Sequence, residues 1–179
     1  LLANQLALSL VRGHMKRAAG RSFVGDGAQQ AKIIGALPYK LTGGQTFANA
    51  EIQADMASPQ RMLRLLQGDV GSGKTIVALL ALATAVECGA QGTFMVPTEI
   101  LARQHFEGLA PLARAAGVRL ELLTGRDRGA DRAMKLEDLA MGRIGVLVGT
   151  HAVFQKDVDF QDLRLAVVEV RRVLPQGAQ

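Results

Sequence analysis

The sequence has few of the features that define disulfide-linked, membrane-spanning or repetitive proteins. Its single cysteine, Cys88, excludes an internal disulfide framework and suits a reducing cytoplasm. The longest apolar stretch, residues 75–86, is interrupted and too short to cross a bilayer, and the N-terminus does not resemble a signal peptide. No low-complexity run or fixed-period repeat is present, which disfavours disorder and a solenoid. We therefore expect a soluble, compact, cytoplasmic protein with no membrane partner.

Histidine patterns typical of metal sites are missing as well. His14 and His105 have no partner at the spacing of a metal site, so neither is assigned a role. Charge is unbalanced instead, because 21 Lys and Arg residues against 16 Asp and Glu residues give a net charge of +5. This excess favours a polyanionic partner, since each cation placed on a phosphate releases condensed counterions. Charge alone does not identify nucleic acid, because many basic proteins bind none.

Residues 1–40 predict a helical arm ahead of the main domain. With 179 residues and 49% hydrophobic content, the chain is long enough for one substantial core. Leucines recur at helical spacing in a segment that runs to about Arg17, and a second short helix is predicted over residues 28–36. Pro38 then favours an extended approach to a helix over residues 46–57.

Strands and helices alternate along the rest of the chain. Short apolar strands that alternate with helices indicate a mostly parallel sheet covered on both faces, which is a three-layer α/β domain. Right-handed crossovers would place every strand-to-helix loop at the carboxyl edge of this sheet, where such folds bind ligands. The predicted strands cover residues 62–67, 93–96, 118–123, 144–148 and 163–168, and the predicted helices between them cover residues 73–87, 98–116 and 128–141.

A glycine-rich segment between the first predicted strand and the next helix matches a phosphate-binding loop. Its residues fit the pattern G-x-x-x-x-G-K-[ST] in the strand–loop–helix context that the motif requires. Glycines permit positive φ, so backbone N–H groups can surround the phosphates without obstruction by side chains. The segment predicted to bind the nucleotide consists of Gly68, Asp69, Val70, Gly71, Ser72, Gly73, Lys74 and Thr75.

The motif assigns chemistry to two side chains of this loop. Lys74 would contact the β and γ phosphates of a bound nucleotide, and the Thr75 hydroxyl would bind Mg²⁺. The alternative is a glycine-rich turn that carries a lysine by chance. A phosphate loop indicates nucleotide binding but not what hydrolysis drives, because kinases, transporters, GTPases and helicases share it.

Five segments carry a more specific resemblance. They are Leu-Thr-Gly-Gly-Gln at 41–45, the phosphate loop at 68–75, Met-Val-Pro-Thr-Glu-Ile-Leu-Ala at 95–102, Thr-Gly-Arg at 124–126 and Val-Gly-Thr-His-Ala-Val-Phe-Gln at 148–155. In this order they resemble superfamily 2 helicases, and in detail the RecG family of branch-migrating DNA helicases, from about Leu1 to Val168. The resemblance implies a RecA-like domain that uses ATP and Mg²⁺ and acts on DNA forks and Holliday junctions. The transcription-repair coupling translocase shares Gly-Thr-His and a similar loop, so it is an alternative.

The resemblance also implies roles for residues outside the phosphate loop. Gln45 would recognise adenine through its carboxamide, and the alternative is a polar residue at a helix start. Thr98 would cap a helix whose free N–H groups hold a DNA phosphate, and Arg126 would bind another phosphate. An ordinary cap and a solvated arginine are the alternatives for these two. Thr150 and His151 would lie near the γ-phosphate or the DNA, at the same edge of the sheet.

The sequence departs from the family after Val168. There the family continues with Asp-Glu-x-His, whose Asp holds Mg²⁺ through water and whose Glu polarises the attacking water, but this chain has Glu169 and Val170. Glu169 can replace the metal carboxylate at a longer reach, whereas Val170 can neither accept a proton nor orient water. The chain opens on Leu1 rather than on a methionine and stops at Gln179 soon after a predicted strand. We therefore expect a truncated piece without the second motor domain and its arginine finger.

These observations predict the ATP-binding motor domain of a RecG-like helicase, with little hydrolysis in isolation. The expected layout is an entry arm at 1–40, a RecA-like ATP-binding domain at 41–170 and a divergent tail at 171–179. A non-catalytic nucleotide- or DNA-binding module is the alternative from another functional class. An unrelated P-loop ATPase or kinase is a third, but such proteins have no reason to carry both Gly-Thr-His and Pro-Thr-Glu.

Overall fold

The computed structural model describes residues 19–170 as an α/β domain. The predicted opening helix and the predicted tail at 171–179 lie outside the described residues. The helices are α1 (Ala28–Ala36), α2 (Gly43–Ala57), α3 (Lys74–Glu87), α4 (Glu99–Ala115) and α5 (Gly129–Ala140), and a short 3₁₀ helix covers His151–Phe154. The strands are β1 (Gln91–Met95), β2 (Leu120–Leu123), β3 (Val146–Gly149) and β4 (Leu163–Val168).

Within residues 19–170 the sheet has four strands in the order β2-β3-β1-β4, and its three strand pairs are all parallel. An isolated antiparallel bridge between Ala19 and Gln60 lies outside this sheet. Thr93 at the centre of β1 lies opposite Leu147 of β3 on one side and Ala166 of β4 on the other. Helices α1, α3 and α4 pack together over one face of the sheet, and α5 with the 3₁₀ helix covers the other face. The predicted three-layer α/β architecture is therefore confirmed.

Helix α3 is buried almost all round because it lies between the sheet and α2. Its residues 76–85 are all buried, and they are nearly all apolar. Leu79 and Leu82 belong to the cluster over the sheet, whereas Val77 and Ala81 pack with Ile52 of α2. A helix that is hydrophobic on every side is stable only in such an interior position. This burial holds the residues at the start of α3 in a fixed place relative to the sheet.

The predicted strand at Met62–Gln67 is wrong. The segment has no regular secondary structure and runs beside β4, where Met62 and Leu63 line a cavity of about 550 Å³ together with Leu165. Leu63 is 44% exposed and Leu65 is 67% exposed, so one side of the segment packs against no other part of residues 19–170. A short apolar run favours a strand only where a neighbouring strand pairs with it and both faces are covered.

Smaller differences concern where the elements begin and end. Helix α2 starts at Gly43 rather than at Thr46, because the Thr42 hydroxyl accepts a hydrogen bond from the Gln45 backbone and caps the helix there. The ends of the other described helices and strands lie within about two residues of prediction, the usual uncertainty of such boundaries. Within residues 19–170, no helix combines the length and the hydropathy needed to span a membrane.

Candidate functional site

The phosphate-loop motif lies between the segment beside β4 and the first turn of α3. Gly71 and Gly73 have φ values of 82° and 77°, in the left-handed region that residues with a Cβ rarely adopt. Gly73 is the N-cap of α3, and the backbone N–H of Ser72 donates to the Asp69 carbonyl at 3.2 Å to close a turn. Val70 at the tip of the turn is fully exposed. Gly71 and Gly73 therefore have the positive φ that the motif predicts, whereas Gly68 does not.

The Lys74 ammonium lies inside this loop. Its Nζ donates to the carbonyl oxygens of Gly68 at 2.8 Å and Asp69 at 2.6 Å, and it lies 3.3 Å from the Ser72 hydroxyl. All three partners belong to the phosphate loop, so these contacts hold the positive charge of Lys74 inside the loop. The N-terminus of α3 adds a partial positive charge at the same place. Thr75, at the next helical position, is partly buried beside Lys74.

Gln45 joins α2 to the phosphate loop. Its Oε1 accepts from the Thr42 backbone at 2.9 Å, and its Nε2 donates to the Ser72 carbonyl at 2.9 Å. Together with the bond from the Gln45 backbone to the Thr42 hydroxyl, this forms a capping box. A Cβ added at Gly73 would collide with Nε2 of Gln45, so the Gln45 side chain would have to move away from the loop. Gln45 thus helps to cap the start of α2, and adenine recognition by Gln45 stays a prediction.

Thr98 and Arg126 come from separate loops that the structure brings together. Thr98 is exposed at the N-cap of α4, and its hydroxyl accepts from the Leu101 backbone at 3.3 Å. Arg126 follows β2, and its side chain is 79% exposed. Its Nε lies 2.9 Å from Oε2 of Glu99, the first residue of α4. This ion pair connects the two loops that were predicted to contact DNA.

The loop that carries Arg126 is fixed by Asp127. The Asp127 carboxylate accepts from the Thr124 backbone at 2.7 Å and from the Lys135 ammonium at 2.7 Å, and Lys135 also donates to the Leu122 carbonyl. Burial acts to raise the pKa of Asp127, but the hydrogen bonds from Lys135 and Thr124 outweigh it and hold the pKa below its usual value. The carboxylate therefore stays charged and locks the turn.

Thr150 and His151 follow β3 at the same sheet edge but differ in accessibility. Thr150 is buried, and its hydroxyl accepts from the Ala152 backbone at 3.5 Å at the start of the 3₁₀ helix. His151 begins that helix and is exposed. Of this predicted pair, His151 presents its side chain at the surface, whereas Thr150 supports the turn below it.

Glu169 contacts a histidine for which the sequence suggested no role. The Glu169 backbone donates to the Met95 carbonyl at 2.8 Å, which extends the parallel pairing beyond β4, and Oε2 lies 2.9 Å from Nε2 of His105. The His105 ring in turn packs 5.1 Å from that of Phe94. Val170 is 78% exposed. Among residues 19–170 no three His, Cys, Asp or Glu side chains form a metal cluster. Thr75 and Glu169 stay predictions as ligands of Mg²⁺.

Two contacts of the site were missed by sequence reasoning. Glu99 directly follows Thr98 in the same motif, and the sequence predicts no partner for its carboxylate. His105 lies two turns further along α4, 64 positions before Glu169. The signal for Glu99 was its place beside a predicted phosphate contact, whereas no local pattern predicts the partner of His105.

The chain matches the DEAD/DEAH box helicase family over residues 45–173. It is 51% identical over 138 residues to the ATP-dependent DNA helicase RecG of Bacillus subtilis (strain 168), covering 77% of this chain and 20% of that protein. It is 39% identical over 169 residues to the protein of the same name from Escherichia coli (strain K12), covering 94% of this chain and 24% of that protein. The chain thus spans about a quarter or less of the length of these relatives.

A solved structure described as RecG bound to a three-way DNA junction is similar in fold. Its TM-score with this chain is 0.82 at 38% sequence identity, and the match covers 95% of this chain and 23% of that chain. The predicted RecA-like fold is therefore confirmed by an experimental neighbour as well as by the sheet order.

Proposed function

Because this chain belongs to the DEAD/DEAH box helicase family, we propose that it is the ATP-binding motor domain of a RecG-like DNA helicase. The proposed activity couples ATP hydrolysis to the remodelling of branched DNA, such as forks and Holliday junctions, in recombination and repair. The RecG proteins among its relatives and the junction-bound RecG structure support this assignment over the transcription-repair coupling translocase.

The observation that carries the proposal is the place of Lys74. Its ammonium lies within a loop whose Gly71 and Gly73 have left-handed backbones, at the N-terminus of a buried helix. A triphosphate would exchange the bonds from Lys74 to loop carbonyls for stronger, charge-assisted bonds to phosphate oxygens. Bound Mg²⁺ would neutralise charge on the β and γ phosphates, and Thr75 would be its protein ligand, with Glu169 as a longer-range carboxylate.

Adenine recognition is assigned to Gln45. Its carboxamide adjoins the loop, because Nε2 already bonds the Ser72 carbonyl. An amide offers both a donor and an acceptor, which is what the edge of adenine requires. This position would let the residue bind the base while it remains in contact with the phosphate loop.

DNA binding is assigned to the loops after β1, β2 and β3. Thr98, Arg126 and His151 follow these three parallel strands in turn, so they lie along one edge of the sheet. Thr98 and His151 are exposed and Arg126 is largely so, as phosphate contacts must be. Thr150 would act through the turn that presents His151. The net charge of +5 favours such a polyanionic partner.

Hydrolysis by this chain is proposed to be weak. Val170 occupies the place where the family resemblance implies a glutamate, and a valine cannot polarise the attacking water. The proposed layout keeps residues 1–40 as an entry arm, 41–170 as the ATP-binding domain and 171–179 as a divergent tail. A second motor domain is the proposed partner for catalysis, because the relatives are several times longer than the matched region.

Measuring phosphate release with and without a three-way DNA junction tests this proposal. We expect Mg-ATP to bind and turnover to stay low, with at most a small increase on adding DNA. Strong DNA-stimulated turnover by the chain would contradict the role given to Val170.

A non-catalytic nucleotide- or DNA-binding module is the second candidate, and Val170 is the observation that favours it. It predicts saturable ATP binding that Lys74→Ala abolishes, and no phosphate release under any condition. Detectable release that Lys74→Ala removes would exclude this candidate.

A further inference from the structure

One acidic residue lies among the side chains proposed to contact DNA phosphates. Oε2 of Glu99 is 2.9 Å from Nε of Arg126, and a Cβ added at Gly125 would lie 3.5 Å from the other carboxylate oxygen. Glu99 is therefore packed against the turn that carries Arg126. A carboxylate next to a DNA phosphate is repulsive, so its presence there needs a reason.

The turn under Arg126 is rigid, whereas the Arg126 side chain is not held by burial. Asp127 fixes the turn through Thr124 and Lys135, at distances of 2.7 Å to each. The Arg126 backbone N–H also donates to the Thr124 hydroxyl at 3.3 Å. Because the Arg126 side chain is 79% exposed, only its ion pair with Glu99 restrains the guanidinium among the described contacts.

We propose that Glu99 is a positioning residue that orients Arg126 for the DNA phosphate, an inference that rests on the proposed DNA contact. The carboxylate lies at the Nε side of the guanidinium, so the two terminal amino groups remain for a phosphate. A planar guanidinium that is held on one side can bind a phosphate through two parallel N–H bonds. Restraining it before binding lowers the conformational entropy lost when the phosphate is bound.

The positioning role and simple charge repulsion predict opposite results for two substitutions. Glu99→Gln removes the negative charge but keeps an oxygen that can accept from Arg126, so binding should equal or exceed that of the unmodified chain. Glu99→Ala removes both, so binding should weaken by roughly 2- to 5-fold, the range of exposed ion pairs. If Glu99 were only repulsive, both variants would bind DNA more tightly.

The test is fluorescence anisotropy with a labelled three-way DNA junction over a series of salt concentrations. Glu99→Ala, Glu99→Gln, Arg126→Ala and the Glu99→Ala/Arg126→Ala double variant are compared with the 179-residue chain. Glu107→Ala is the matched control, because Glu107 is an exposed carboxylate on the same helix. Thermal unfolding of each variant confirms that the fold is kept, since an exposed pair contributes little to stability.

We expect Arg126→Ala to weaken binding and to lower the salt dependence by about one phosphate contact. Glu99→Ala should weaken binding only while Arg126 is present, so the double variant should match Arg126→Ala. If Arg126→Ala weakens binding but Glu99→Ala does not, the positioning role is overturned and the DNA contact stands. If Arg126→Ala has no effect, the DNA contact itself is wrong and the positioning role falls with it.

Discussion

Nε2 of Gln45 donates a 2.9 Å hydrogen bond to the Ser72 carbonyl, so a single side chain connects the cap of α2 with the phosphate loop. The same carboxamide closes the capping box through Thr42. Any change in the loop that moves Ser72 would therefore also disturb the capping box at the start of α2. Gln45 therefore has a structural role in addition to its proposed contact with adenine.

Replacing Gln45 tests both parts of that description. We expect Gln45→Ala to lower the free energy of unfolding by about 1–2 kcal/mol, because it removes half of the capping box and the bond to Ser72. It should also reduce the preference for ATP over GTP in competition binding. Gln53→Ala on the same helix is the control and should change neither quantity by much. An unchanged ATP preference would leave Gln45 as a helix cap alone.

Gly149, the glycine of the Gly-Thr-His segment, should not tolerate replacement by a residue with a Cβ. A Cβ at Gly149 would collide with the Leu123 carbonyl of the neighbouring strand, which cannot move without disturbing the β2–β3 pairing. Gly149→Ala should therefore lower the free energy of unfolding by about 2–3 kcal/mol. The matched control is Gly108→Ala, where open space and a helical backbone predict a gain of about 0.5–1 kcal/mol. If chemical denaturation gave equal changes in the free energy of unfolding for Gly149→Ala and Gly108→Ala, this packing would be contradicted.

The lowered pKa of Asp127 predicts how stability depends on pH. A carboxyl whose pKa is lower in the folded chain than its usual value of 3.8 stabilises the fold above that value and loses this contribution as the pH falls below it. Asp127→Asn should thus cost about 1–3 kcal/mol at pH 7. Its unfolding free energy should also fall less steeply than that of the unmodified chain between about pH 5 and pH 2.

Urea unfolding at several pH values measures this difference, and Asp159→Asn, at an exposed position, is the control. Parallel pH curves for the unmodified chain and Asp127→Asn would show that the bonds from Lys135 and Thr124 do not hold the carboxylate in its charged form.

Local patterns predicted most of the fold. The extent of β4 was predicted to the residue, and the start of α3 to within one, because alternating apolar residues and the glycine-rich motif are local signals. The strand prediction for residues 62–67 failed because pairing with β4 depends on the three-dimensional path of the chain, which no short sequence pattern contains. Its apolar residues allowed a strand but did not require one.

In the candidate site, too, local patterns predicted the backbone conformation, whereas contacts between distant residues were not predicted. The phosphate-loop conformation followed from the motif, since Gly71 and Gly73 take the positive φ that the motif needs. The contact between Gln45 and Ser72 joins residues 27 positions apart, and no sequence period relates them. The ion pair of Glu99 with Arg126 is equally non-local, because it depends on where two parallel strands end in the folded sheet.

Titration calorimetry of the chain with Mg-ATP is the most direct test of the account. We expect saturable binding that Lys74→Ala weakens by about ten-fold or more, because the charge-assisted bonds to the phosphates are lost. Lys156→Ala, which removes an exposed lysine outside the loop, should bind as the unmodified chain does. Absence of Mg-ATP binding by the folded chain, or equal binding by Lys74→Ala, would contradict the assignment of this loop as the nucleotide site of a helicase motor.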